Sequence, residues 1–234
     1  MKALILDTET HVLNGLPIQI AYAPCSLERG GLAVDDSALF DELFSIDQNK
    51  IDYGAMAVHH IIEADLVGKP SYKTFALPHD CTYIIGHNIE YDIEAIKRCG
   101  VKTEHLKPIC TLALARAVFP EAPNHKLSTL CYFLSNDHDV TRKKLQSAHN
   151  AKTDILLTGE LLHHILAARP VSTLEELYEL SCNSMVPSVM TFGKYTGTAL
   201  VNLPPDYVAW LLRQDNLNKH LRRALENRKG VKAS

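Results

Sequence analysis

Ala3-Leu4-Ile5-Leu6-Asp7-Thr8-Glu9 is the stretch on which the reading of the fold turns. Four apolar residues run straight into two acids separated by one residue, the pattern of a buried β-strand that ends at a chemically active edge. Side chains alternate faces along an extended backbone, so Asp7 and Glu9 share one side of the strand. Two carboxylates held against hydrophobic neighbours are costly unless something positive joins them. The simplest partner is a divalent, oxygen-seeking cation such as magnesium or manganese. The chain opens as a metal-dependent enzyme would.

Working outward, Lys2–Thr10 and residues 18–25 read as two strands joined by a turn containing Asn14-Gly15 and Pro17, an antiparallel pair. A third strand is expected within residues 31–40 and a short helix within 71–78. Cys81–Gly86 is a compact apolar strand that ends in Gly86-His87-Asn88, where His87 is expected to organise the turn by hydrogen bonds. Residues 90–99 place Ile93, Ile96 and Cys99 at helical spacing and close on Gly100. Helices follow at Thr111–Val118 and Leu127–Leu134. Residues 136–146 read as a polar, solvated loop with the cluster Arg142-Lys143-Lys144, and a long helix spans about 148–168 before Pro170. A hairpin followed by strands alternating with helices predicts an α/β fold with a mixed sheet.

The chain has 234 residues, 46% of them hydrophobic, enough for one large domain with a small appendage. Residues 170–186 read as a linker, with a short helical pattern over 174–180. Residues 187–234 read as a small basic module that opens with a turn-rich patch and ends in a helix over 217–228. Net charge is −3, unevenly spread. Residues 187–234 hold eight Lys/Arg and three Asp/Glu, or +5, while 1–186 hold sixteen and twenty-four, or −8. An acidic body with a basic end suits an enzyme that binds metal at one place and a polyanion at another. The most apolar stretch, 155–168, is broken by Glu160 and His163-His164 and falls short of the roughly 18 uncharged residues of a membrane span. Only four apolar residues lie between Lys2 and Asp7, too few for a secretory leader. The six cysteines form no C-x-x-C pair and fit reduced thiols in a cytoplasmic protein. His59-His60 and His163-His164 lack the spacing of a zinc site, since adjacent residues on a helix face different ways.

Two further acids can join Asp7 and Glu9. Asp92 lies one turn into the helix after Asn88, and Asp154 lies five residues after His149 at the start of the long helix. Each alone has a plain structural reading, because an acid in a first helical turn compensates the dipole. In order they spell D-x-E, H-N-x-x-x-D and H-x-x-x-x-D: Asp7-Thr8-Glu9, His87-Asn88-Ile89-Glu90-Tyr91-Asp92 and His149-Asn150-Ala151-Lys152-Thr153-Asp154. Over residues 1–169 the chain thereby resembles the DEDDh exonucleases, a branch of the ribonuclease H-like superfamily. Ile109-Cys110-Thr111, Phe119-Pro120 and Phe192-Gly193-Lys194-Tyr195 are similar to the exodeoxyribonuclease X branch of that family. Cys110 departs from the aspartate that many relatives carry there.

The resemblance implies a ribonuclease H-like mixed five-stranded sheet flanked by helices, followed by the 187–234 module as a candidate DNA-binding unit. It implies a 3′–5′ exonuclease that releases mononucleotides from DNA 3′ ends in DNA repair, single strands preferred and duplex ends accessible. Two Mg2+ ions, with Mn2+ able to substitute, would activate water and stabilise the leaving alkoxide from about 3.5–4 Å apart. Asp7 would bridge them, with Glu9, Asp92 and Asp154 completing the ligand set and His149 as general base. Substrate contacts fall on Thr10, Leu13, His59, Asn88, Arg142, Lys143 and Lys144. His59 sits where the family's histidine meets the terminal nucleotide, with His60 in place of the usual glycine. Leu13 sits in a loop that abuts the terminal base. The resemblance also allows a homodimer. An exoribonuclease of ribonuclease T type and a polymerase proofreading subunit share the same residues. A non-catalytic nucleic-acid-binding factor would not need so many clustered acids.

Overall fold

The structure, a computed structural model, describes residues 2–28, 31–146, 150–190 and 192–228. Six strands form one sheet: β1 (Lys2–Thr10), β2 (Pro17–Glu28), β3 (Gly31–Val34), β4 (Phe40–Leu43), β5 (Cys81–Gly86) and β6 (Lys107–Cys110). Across the sheet the order is β3-β2-β1-β5-β6, with β4 also on β2. β1 is antiparallel to β2 and parallel to β5, and β5 is parallel to β6, so the sheet is mixed.

The sixth strand arises because β2 is twelve residues long. Its outer edge takes β3 alongside Cys25–Glu28 and β4 alongside Gln19–Tyr22. The expected third strand is thus split in two by a 3-10 turn at Asp36–Ala38. The expected helix within 71–78 shrinks to a 3-10 turn, Tyr72–Thr74.

Among the described residues nine α-helices follow. They are α1 (Tyr53–His59), α2 (Glu90–Arg98), α3 (Thr111–Val118), α4 (Leu127–Leu134), α5 (His138–Leu145), α6 (Ala151–Ala168), α7 (Leu174–Met185), α8 (Pro205–Leu212) and α9 (Lys219–Arg228). The segment read as a polar loop is α5. Asp137 caps it by accepting the N–H groups of Asp139 and Val140, which satisfies donors that a helix start leaves open. The stretch read as a linker contains α7, whose Leu177 and Ser181 are buried.

The chain divides into two compact units, 1–181 and 182–234. In the first, one sheet face packs under α6: Ala3, Ile5, Ala21 and Ala23 meet Ile155, Leu162 and Ile165 in a single core. Gly159 lets the helix approach, since a Cβ there would lie 3.4 Å from the Ile5 methyl and 3.3 Å from Val34. The second unit has its own core of Met190, Leu200, Leu203, Val208, Leu211, Leu221 and Leu225. All six cysteines are free, and no helix among the described residues is long and apolar enough to cross a membrane.

Candidate active site

β1 runs on past its parallel partner. Pairing with β5 ends at Ile5 opposite Ile85, and β5 itself stops at Gly86. A Cβ on Gly86 would sit 2.9 Å from the Leu6 carbonyl oxygen, so only glycine permits this approach. Asn88 then takes the left-handed conformation, φ 75°, and turns the chain into α2. The first turn of α2 delivers Asp92 to the backbone that β5 has vacated. Its Oδ1 accepts from the Thr8 N–H at 2.9 Å and the Thr8 hydroxyl at 2.8 Å. Asp92 is 3% exposed, and these bonds replace the missing strand partner.

Asp7 and Glu9 project from the same stretch of β1, and Asp154 comes from the first turn of α6. One carboxylate oxygen from each of the three lies within 4.8 Å of the others. Gln19 sets the start of α6. It stands opposite Glu9 in the β1–β2 register, and its Oε1 accepts the Ala151 N–H at 3.3 Å while its Nε2 donates to Asp41 at 2.8 Å. Sequence reading missed Gln19; the available signal was a lone amide between Ile18 and Ile20 in an apolar strand.

The electrostatics of these acids are adverse. Burial, then the charges of Asp92, Asp154 and Glu9, hold the Asp7 carboxyl well above the usual carboxylate range. Glu9 is pushed up to about 8 by burial and by Asp154 and Asp92. Asp92 rises to about 7 because burial outweighs the two Thr8 bonds. Among the described residues no Lys or Arg pairs with Asp7, Glu9 or Asp92. Carboxylates crowded in this way, with oxygen donors converging on one point, fit a hard divalent cation.

The other expected residues are placed as follows. His149 lies outside the described residues. Thr10 is buried; its hydroxyl donates to the Val12 carbonyl at 2.9 Å and meets the Tyr91 hydroxyl. Leu13 is 77% exposed in the β1–β2 turn. His59, at the end of α1, is 7% exposed. Its Nδ1 accepts from the Ile61 N–H at 3.0 Å, so Nε2 carries the hydrogen; that nitrogen is buried without a well-formed hydrogen bond, and the Thr10 backbone is the polar group that interacts with the ring. Burial lowers the pKa of this ring, which keeps it neutral. His60 follows at φ 61°, capping α1 in the left-handed region. Asn88 is exposed. Arg142, Lys143 and Lys144 lie on α5; Arg142 pairs with Asp139 at 2.9 Å and Lys144 with Glu160 at 2.5 Å.

His87 is structural. Its Nε2 donates to the His125 carbonyl at 2.8 Å and its Nδ1 lies 3.1 Å from the Thr111 hydroxyl. Burial pushes its pKa down to about 4.

A mixed sheet under helices, with acids gathered where β1 runs past the end of β5, is the architecture of the ribonuclease H-like exonuclease class. The family model described as Exonuclease (RNase_T) matches residues 4–162. The chain belongs to this exonuclease family, as a DEDDh-type 3′–5′ exonuclease and hence a hydrolase. Exodeoxyribonuclease 10 of Escherichia coli (strain K12) is 26% identical over 231 residues, covering 95% of this chain and 96% of the relative. The 3′-5′ exonuclease DinG of Staphylococcus aureus is 32% identical over 111 residues, 44% of this chain and 11% of the relative. The solved structure "Exonuclease X in complex with 5′ overhanging duplex DNA" shares the fold, with a TM-score of 0.57 at 23% identity. It covers 76% of this chain and 99% of that one. A second model, named for a quorum-sensing-regulated virulence factor, matches residues 176–233. Exonucleases of the first family generally depend on divalent metals, and the acidic cluster that this requires is present.

Proposed function

We propose that this protein is a magnesium-dependent 3′–5′ exodeoxyribonuclease that removes mononucleotides from DNA 3′ ends, single strands first, and serves DNA repair. The observation that carries the reading is the convergence of Asp7, Glu9 and Asp154 within 4.8 Å. The DNA preference is supported by the full-length similarity to exodeoxyribonuclease 10.

Asp7, Glu9 and Asp154 would hold the divalent cations, and Asp92, whose Oδ1 is engaged by Thr8, would add its other carboxylate oxygen. When bound, a pair of divalent ions supplies Lewis-acid activation of water and of the departing 3′-oxygen. The residues do the rest. Asp92 fixes the backbone of Thr8 and with it the aim of Asp7 and Glu9. Gln19 fixes the first turn of α6 and therefore Asp154. His149, five residues before Asp154 in the sequence, would take the proton of the attacking water. His59, buried at the end of α1, would have to uncover its Nε2–H to meet an oxygen of the terminal nucleotide. Leu13, exposed at the tip of its turn, would pack against the end base without reading its identity. Asn88 and the α5 cations Arg142, Lys143 and Lys144 would meet phosphates, with Lys143 the least committed of the three.

The test is an end-labelled DNA oligonucleotide incubated with Mg2+ and with chelator. Stepwise release of mononucleotides from the 3′ terminus, abolished by chelation, is expected. Release from the 5′ terminus, or faster degradation of a matched RNA, would overturn the reading.

A further inference from the structure

Trp210 is the only tryptophan in the chain; it is 46% exposed and lies outside the aliphatic core of its unit. It sits on α8 one turn after Tyr207, and the two rings stack with centroids 5.5 Å and planes 25° apart. Tyr207 meets Tyr195 at 4.6 Å, and the Lys194 ammonium lies 5.3 Å from the Tyr195 ring centre. Gly193, at φ 71°, makes the turn that brings Tyr195 in; a Cβ there would lie 3.4 Å from the Tyr207 hydroxyl. Arg213 follows Trp210 by three residues, which puts both on one strip of helical surface. Tyr207 and Trp210 thus stack, Tyr195 leans on Tyr207 at 58°, Lys194 lies by Tyr195, and Arg213 follows Trp210 along the chain. Packing explains Tyr195 and Tyr207, which lie against the core. It does not explain an indole left half in water beside them.

We propose that this cluster is a stacking platform for single-stranded nucleic acid, a second grip on the substrate carried by residues 182–234. The inference rests on the reading above that the substrate is a nucleic acid. Ring faces accept any base, so a platform of this kind holds a strand without reading its sequence. Charge selects the same occupant. Residues 182–234 hold eight Lys/Arg against three Asp/Glu, or +5, while residues 1–181 hold sixteen against twenty-four, or −8. Within the molecule, a phosphate backbone is drawn to this unit. Some of its cations are already occupied: Arg222 donates to the Leu212 and Gln214 carbonyls, and Arg228 to that of Leu203. Lys194, Arg213 and Arg223 are exposed. Lys194 lies by the Tyr195 ring, and Arg213 stands three residues after Trp210.

A lone indole makes the test direct. The full chain is titrated in chelator with an oligothymidylate of about twenty nucleotides, longer than common binding-site sizes. Saturable quenching of the tryptophan fluorescence is expected, and a blunt duplex of equal length should quench far less because its base faces are covered. By anisotropy of a labelled strand, Trp210→Ala should weaken binding fivefold or more, Arg213→Gln about twofold, and Trp210→Phe should retain most of the affinity. All three variants should hydrolyse the p-nitrophenyl ester of thymidine 5′-phosphate, which has no strand for a second grip to hold, as well as the unaltered protein does. Absent quenching, equal quenching by duplex, or unchanged affinity in Trp210→Ala overturns the platform. Should Trp210→Ala fail to fold, quenching of the unaltered chain and the Arg213→Gln affinity decide. Failure of the unaltered, magnesium-loaded chain to cleave the ester counts against the proposed function instead, and the quenching experiment still decides the platform.

Discussion

Asp7 faces three other carboxyls, those of Asp92, Asp154 and Glu9, and its own charge is held back by all of them. Replacing it with asparagine removes the central donor and the central repulsion together. Asp7→Asn should lower exonuclease activity by at least about a hundredfold, the upper end of what loss of a ligand's supporting partner costs. The same variant should melt higher than the unaltered chain in chelator. Activity assays and thermal melts check the two halves, and a lower melting point would mean that Asp7 serves packing. His149→Ala should reduce kcat about 10²–10⁴-fold with metal affinity intact.

The raised carboxyls also set a pH dependence. Glu9 titrates near 8 and Asp92 near 7 in the fold, against ordinary values of 4.5 and 3.8. The folded chain then binds more protons than the unfolded chain between those limits, so stability falls as pH rises. In chelator the melting temperature should drop on the order of 5–10 °C between pH 5 and pH 8. Added Mg2+ should restore it most at pH 8, where the carboxylates are charged. A flat profile in chelator would show that the acids are not crowded.

At the scale of elements, the site depends on how α6 is seated. Gln19→Leu leaves the Ala151 N–H and Asp41 without their partner, at a cost of about 1–3 kcal/mol. It should also cut kcat about tenfold through displacement of Asp154, with little change in KM. Denaturant unfolding and steady-state kinetics separate the two effects. The elements that sequence reading found and those it missed differ in a physical way. β1, β5, α3 and α4 carry dense apolar patterns, and Asp7 and Glu9 were legible because strand alternation alone puts them on one face. α5 was not, since only Thr141 of its eight residues is buried and its stability comes from the Asp137 cap. α1 buries only His59, and β6 is a four-residue strand with a proline in it. Gln19 escaped notice because its role exists only once β2 and α6 are together. Asp92 was expected from the motif, but its engagement with Thr8 follows from where β5 stops.

For the whole molecule, two units with separate cores follow one another, 1–181 and 182–234. The full-length similarity to exodeoxyribonuclease 10 spans both, while the exonuclease model matches within the first and the second model spans almost all of the second. A chain ending at Ser181 should therefore cleave a mononucleotide ester within about twofold of the full chain. Its KM for long single strands should rise about tenfold, and its rate should depend less on salt because fewer phosphate contacts remain. Equal KM values for the two chains would leave the second unit without a part in substrate capture.

The sheet ends in short strands on both sides: β3 and β4 share the outer edge of β2, and β6 closes the other with Pro108 in its ladder. Each of these three is four residues long. Neither margin offers a neighbouring molecule an extended template to add to, and the proline lacks the amide such an addition would use. Concentrated solutions of this protein should accordingly resist fibril growth, although the sheet's central strands are among its most hydrophobic segments.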